Sequence, residues 1–337
     1  MATTSVTWSW SAGVACIRLS GVPPEAEVQV RPRTAPLAGE FPPMAGHLIR
    51  HGLDVSFVPR YPFVDGTPYT VSVAGATAAV LVRPSSERTA TTTVRTIRPT
   101  IGVVPRNLLR IYVTFSAPMS EGWAASCVRL ADAAGGTMVG ALLPTEHELW
   151  DAERRRLTVL LDPARIKRGL PAHLQAGYAL RPGGPFRLVI DEGFQDARGL
   201  PLAAPAEHCY DVGADERRHV EPADWQLRAP PERTVEPLDV MFDRPLDHAL
   251  LARCLRVVGP DGEPVAGHIA VGVGERSWRL EPFEAWRRGT HRLMVDPRLE
   301  DLAGNSLSRL FDRDLTCPEE APRAVQPVAV AFRPSGH

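Results

Sequence analysis

The sequence predicts an all-β chain built as three tandem β-sandwich domains. Three observations predict it. A cysteine-led phrase recurs three times, the stretches around it alternate apolar and polar residues, and turn formers are dense. The 337 residues include 33 prolines and 27 glycines, punctuation that favours short strands over long helices. A hydrophobic share of 44% supplies packed cores, and a chain of this length suits two or three domains.

The recurring phrase is Cys16-Ile17-Arg18-Leu19, then Cys127-Val128-Arg129-Leu130, then Cys254-Leu255-Arg256-Val257. A strand-like stretch precedes each copy, at 5–14, 108–119 and 237–246. Behind the second and third copies, 132–143 and 259–270 read as strand, glycine turn, strand. The first copy has a looser version that ends at 42–49. Strands closed by proline follow at 54–59, 157–163 and 277–282. A turn ending in glycine then leads into a further strand, within 61–73, at 184–190 and within 283–295. Copies two and three close on Asp196-Ala197-Arg198-Gly199 and Asp301-Leu302-Ala303-Gly304. Each copy holds about seven short strands, and their alternating faces bury against a second sheet.

The expected boundaries are 1–84 for the first sandwich, 85–98 for a Ser/Thr/Arg-rich linker, 99–213 for the second, 214–318 for the third and 319–337 for a proline-rich tail. The tail has room for one edge strand. The short gap between copies two and three points to a fixed angle.

This order of motifs resembles bacterial Ig-like modules of the surface-layer type. Copy two, through LLRIYVTFSAPM, RRLTVLLDPARIKRGL and DARGLPL, also resembles a family of uncharacterised bacterial proteins. The resemblance implies an Ig-like fold and a cell-envelope setting, and it brings no known reaction. Copy one lacks the Asp-x-x-Gly segment.

The net charge of −1 gives no bulk attraction to nucleic acid or anionic lipid. No apolar run approaches the roughly 20 residues of a membrane-spanning helix. The first residues carry no basic region followed by an apolar core, so no signal peptide is read; cytoplasmic and exported settings both stay open. No phosphate loop, dinucleotide fingerprint, nucleophile elbow or zinc motif appears, and no cofactor or metal is expected. Bridges Cys127–Cys209 and Cys254–Cys317 are conceivable in an exported protein, but buried free thiols are the preferred reading. Asp196 and Asp301 read as turn acceptors, with calcium binding as the alternative. Trp8, Trp10, Trp278 and Trp286 read as packing residues.

Copy two departs from its siblings by an extended hairpin (141–161) and an insertion (170–183). Loops on a rigid sandwich are the usual carriers of function. Their candidate acid–base or amine groups are Glu146, Glu148, Asp151 and Lys167, the last being the single lysine of the chain. Candidate binding groups are Trp150, Arg154, Arg165 and Arg168. The alternative for the acids is cross-strand ion pairing, and for Lys167 a solvated turn. The expected function is a non-catalytic binding or structural role with a protein or glycan partner. A hydrolase or lyase centred on the copy-two loops is the alternative.

Overall fold

The computed structural model describes residues 4–11, 14–33, 42–84, 89–145, 147–314 and 326–336, which fall into two compact units, 1–88 and 89–337. In the first unit, β1 (Ser5–Ser11), β2 (Val14–Ser20), β3 (Val28–Pro32), β4 (Gly46–His51), β5 (Asp54–Pro59), β6 (Pro68–Val73) and β7 (Ala76–Val82) follow in order. They form two antiparallel sheets, β1-β2-β5-β4 and β3-β6-β7. Ile17, Leu19 and Phe57 from one sheet meet Val30, Tyr69 and Val71 from the other, as period-two alternation requires. Trp8 packs edge-on against Phe63, ring centroids 4.9 Å apart. Trp10 departs from the expected packing role: it is exposed, with the Arg83 guanidinium 5.4 Å from its ring.

The second unit holds two pairs of sheets. The middle pair comprises β8 (Val94–Arg98), β9 (Val103–Pro105), β10 (Arg110–Phe115), α1 (Ala124–Cys127), β11 (Val128–Asp132), β12 (Leu149–Trp150), β13 (Arg156–Leu160), α2 (Pro163–Ile166), α3 (Pro171–Ala176), β14 (Phe186–Ile190) and β15 (Ala206–Gly213). Its sheets run β12-β13-β10-β8 and β11-β14-β15-β9, all neighbours antiparallel except β15 and β9. Residues 94–98, the end of the stretch read as a linker, form β8 because Val94 and Ile97 turn inward onto this core.

The last pair comprises β16 (Gln226–Arg228), β17 (Leu238–Met241), α4 (His248–Cys254), β18 (Leu255–Val258), β19 (Gly267–Val271), β20 (Ser277–Pro282), β21 (His291–Val295) and β22 (Val328–Phe332). The order is β16-β17-β20-β19 in one sheet and β18-β21-β22 in the other, so the tail does supply an edge strand. The chain is thus a series of β-sandwiches of Ig-like kind, in which the three cysteine-led phrases form β2, the α1–β11 junction and the α4–β18 junction.

Repeated residues do repeated work. Gly46 and Gly267 open β4 and β19 opposite Pro59 and Pro282. A Cβ at Gly267 would stand 2.2 Å from the Glu281 carbonyl oxygen, and one at Gly46 would stand 2.6 Å from that of Val58, so only glycine fits. The two aspartate turns superimpose bond for bond. Asp196 Oδ1 accepts the N–H of Arg198 (2.8 Å) and Leu200 (3.1 Å), and Asp301 Oδ1 accepts those of Ala303 and Asn305 (2.9 Å each). Both are turn acceptors, as their sequence suggests.

Their surroundings differ. The Asp196 turn is exposed at Arg198 and Gly199, whereas Glu300 to Ser306 is buried throughout. The Asp301 turn is wedged against the middle sandwich. Leu302 joins that sandwich's core and its carbonyl accepts the Leu109 N–H at 2.9 Å. A polar seam surrounds this wedge. The fully buried Glu275 accepts from Arg98 Nη1 (2.8 Å), the Thr100 N–H (2.8 Å) and Thr100 Oγ1 (3.0 Å). Asp247 accepts from Tyr112 Oη (2.8 Å), and Arg110 pairs with Glu300. The fully buried Asp312 collects Asn107, Arg168, Tyr178 and Arg217. Buried carboxylates of this kind persist only when paired and hydrogen-bonded.

Candidate functional site

A groove of about 680 Å³ opens along one side of the middle sandwich, between α1 and β11 on one wall and the 137–149 segment with β13 on the other. Its floor is aliphatic: Leu130 and Val159 face in from the two sheets, and Leu142 and Leu149 line the lip. Glu121 and Glu148 are the acids of its lining.

The local sequence explains the opening. Residues 141–143 begin an edge strand like β19: the Leu143 N–H reaches the Leu160 carbonyl at 2.9 Å, and the Asp162 N–H reaches that of Ala141 at 3.0 Å. Pro144 then removes a backbone donor. Pairing resumes at Leu149 opposite Thr158, so the described residues Pro144, Thr145, His147 and Glu148 stand outside the β13 ladder. Gly140, at φ +70°, has already turned the chain left-handed. In the third sandwich β19 pairs without interruption from Gly267 to Val271, and α4 packs upon it. The helices differ as well. Counted back from the shared cysteine, Ala124 stands where α4 has Leu251, a side chain with no solvent exposure.

Each candidate residue has a definite place. Glu146 lies outside the described residues. Glu148 is committed: one oxygen accepts the Ala124 N–H at 2.6 Å and the other accepts Trp150 Nε1–H at 2.7 Å. Trp150 packs against Phe115 and Phe194, centroids 5.8 and 6.0 Å away. Asp151 closes the hairpin turn by accepting the N–H of Arg155 (2.8 Å) and Arg156 (3.1 Å), while Arg154 sits exposed at φ +53°. Arg165 ties the insertion down by donating to the carbonyls of Gly177 (2.5 Å), Ala176 (3.1 Å) and Tyr178 (3.2 Å). Lys167 lies over the Phe311 ring, Nζ 4.6 Å from its centroid, and Arg168 reaches Asp312. Lys167 and Arg168 therefore belong to the seam, not to the groove. Of the candidate acids and the lysine, only Glu148 lines the groove among the described residues.

Cys127 and Cys209 are unbridged; Cys317 lies outside the described residues. Among the described residues, no helix is long and apolar enough to cross a membrane.

Of the seam residues the sequence singled out Lys167 and Arg168 as candidate site groups and Asp301 as a turn acceptor, and it pointed to none of Arg98, Arg110, Tyr112, Asp247, Glu275, Glu300 or Asp312, where the electrostatics are strongest. Burial pushes the Asp301 carboxyl up to about 7, against the pull of Arg244 and Asn305. Burial raises Asp247 and the Tyr112 hydroxyl as well. Burial, with Arg98 and Arg156 nearby, lowers His248 to about 4. At the exposed counterpart, burial would raise Asp196, yet hydrogen bonds from Thr92 and the Leu200 and Arg198 backbone bring it below the ordinary value.

No family model and no curated protein matches the chain. Among solved structures it is similar to native alpha-2-macroglobulin from Escherichia coli spanning domains MG0-NIE-MG1, at 12% identity and a TM-score of 0.24, with 65% of this chain and 72% of that one covered. It is similar to the full extracellular region of plexin A4, at 8% identity and a TM-score of 0.28, covering 88% of this chain and 27% of that one. A marsupial T cell receptor is similar at 9% identity and a TM-score of 0.18, with 95% of each chain covered. The chain spans about a quarter of the plexin region. Sandwich chains of unrelated function overlap this loosely, and these matches say nothing of the groove.

Proposed function

We propose that this chain is a non-catalytic binding protein, cell-envelope associated, whose second unit holds a protein-recognition groove on a scaffold of two locked sandwiches. The groove carries the reading. It is concave and aliphatic on its floor, with polar groups at its rim, which is the composition of a recognition site. A glycan is less well matched, since sugars stack on exposed aromatic planes and the floor has none. The envelope setting rests on the motif resemblance of the repeats.

The catalytic alternative loses support from the same geometry. Both Glu148 oxygens are engaged by N–H donors, and Lys167 rests on Phe311 at the seam. The test is binding of the apolar dye 1-anilinonaphthalene-8-sulfonate to the folded full chain. The expected result is saturable binding that is lost in Leu142→Asp and Leu149→Asp. A native chain that leaves the dye dark, or variants that bind it equally, would overturn the reading.

A further inference from the structure

Besides the interrupted edge strand and the shorter helix, the groove side of the middle sandwich differs from the matching side of the third at one side chain counted from the shared cysteine. In the third sandwich Leu251 projects from α4 and is wholly buried in the core with Leu246, Leu255 and Leu280. In the middle sandwich the matching residue is Ala124, on a helix shortened to one turn, and it lines the groove. The cysteines three positions later, Cys127 and Cys254, are both buried and both end their helices, although α1 begins at Ala124 and α4 begins three residues before Leu251.

The backbone of the groove wall is already in use. The Val128 N–H bonds the Ala124 carbonyl, the Leu130 carbonyl accepts the Met138 N–H at 2.9 Å, and the Asp132 N–H donates to Gly136 at 2.9 Å. On the opposite wall the Leu160 carbonyl accepts from Leu143. A new strand would find few free partners along β11. Recognition therefore falls to side chains.

Resting on the binding reading above, we infer that the inner end of the groove, beside Ala124, is a seat for one leucine-sized aliphatic side chain presented by a peptide segment of a partner protein. The third sandwich fills the equivalent seat from within its own chain. The middle sandwich leaves it for an incoming residue, and the Glu148 carboxylate holds α1 and Trp150 in place around it.

The test uses the full chain and a fluorescein-labelled peptide spanning Asp247–Arg253, the helix that supplies Leu251, with anisotropy as readout. The wild-type chain is expected to bind it. Leu251→Ala within the peptide should weaken binding about tenfold or more, the worth of burying the extra methylene and methyl groups. Ala124→Leu in the chain should abolish binding, since the new side chain would occupy the seat. The peptide comparison needs no variant of the chain, so it decides the matter even if Ala124→Leu folds poorly. Equal affinity for the two peptides, no peptide binding at millimolar concentration, or peptide binding unchanged by Ala124→Leu would each overturn the seat. Saturation by decanoate without peptide discrimination would also overturn it, pointing to an acyl chain. Dye binding that persists while the peptides are not distinguished would leave the groove standing and remove only the seat.

Discussion

Glu275 gives the most direct measure of how firmly the two sandwiches of the second unit are joined. It has no solvent exposure and sits at φ +54°, and its carboxylate accepts three hydrogen bonds from Arg98 and Thr100 of the neighbouring sandwich. Glu275→Ala removes the acceptor for all three donors. The Arg98 guanidinium is partly exposed and recovers some hydration, which limits the loss. Breaking a buried pair by deleting one partner costs about 3–5 kcal/mol, a large share of the roughly 5–15 kcal/mol that holds a domain folded. Urea unfolding of the full chain, followed by tryptophan fluorescence, should show a loss of that size in the transition that reports Trp278. Amide exchange at Thr100 and Gly274 should rise with it, since the Gly274 N–H is bound to Thr100 Oγ1 at 2.8 Å. A loss below about 1 kcal/mol, the value of an exposed pair, would refute the claim that this contact is desolvated and joins the two halves.

Leu251→Ala should cost about 2–5 kcal/mol by equilibrium unfolding, because it empties a closed core site; a cost under 1 kcal/mol would mean that α4 is not packed as described. Asp301 has its carboxyl raised to about 7, so its contribution to stability is full below the unfolded carboxyl range near 4 and is lost as pH rises through about 7. The stability of wild type minus that of Asp301→Asn should therefore be more favourable at pH 4 than at pH 8, read from paired denaturation curves. Lys167→Ala should cost about 1 kcal/mol or less through a lost cation–π contact, and Glu148→Gln about 1–3 kcal/mol, because the new amide NH2 cannot accept and leaves one of the two N–H donors without its partner. Gly267→Ala should be markedly destabilising, since its Cβ would meet backbone at 2.2 Å; thermal unfolding indistinguishable from wild type would contradict the register of β19 on β20.

The all-β character was legible because strand alternation is local: Leu157 and Val159 turn inward while Arg156 and Thr158 do not. The aspartate turns were legible for the same reason, since the Oδ1 bonds that close them lie within four residues. The seam was not legible. Glu275 meets Arg98 across 177 positions and Asn107 meets Asp312 across 205, and nothing in composition separates a charge bound for a buried joint from one bound for water. The acids and the lysine of copy two drew attention through their chemistry, yet the fold commits Glu148, Asp151 and Lys167 to a helix cap, a turn and a ring. The groove did leave a trace. Aligned on the repeated cysteine, Ala124 replaces Leu251, and Pro144 interrupts what is a clean strand in its sibling.

The wedge formed by Glu300 to Ser306 sets the smallest piece that can be moved between proteins. Severing the chain near residue 214 would strand Asp247, Glu275 and Asp312 in water on one fragment, and would uncover Leu109 and Tyr112 on the other. Neither fragment is a finished product. Duplication, grafting or recombinant expression should therefore succeed with residues 89–337 together and fail with either half, so that the pair, and not the repeat, is the unit of inheritance.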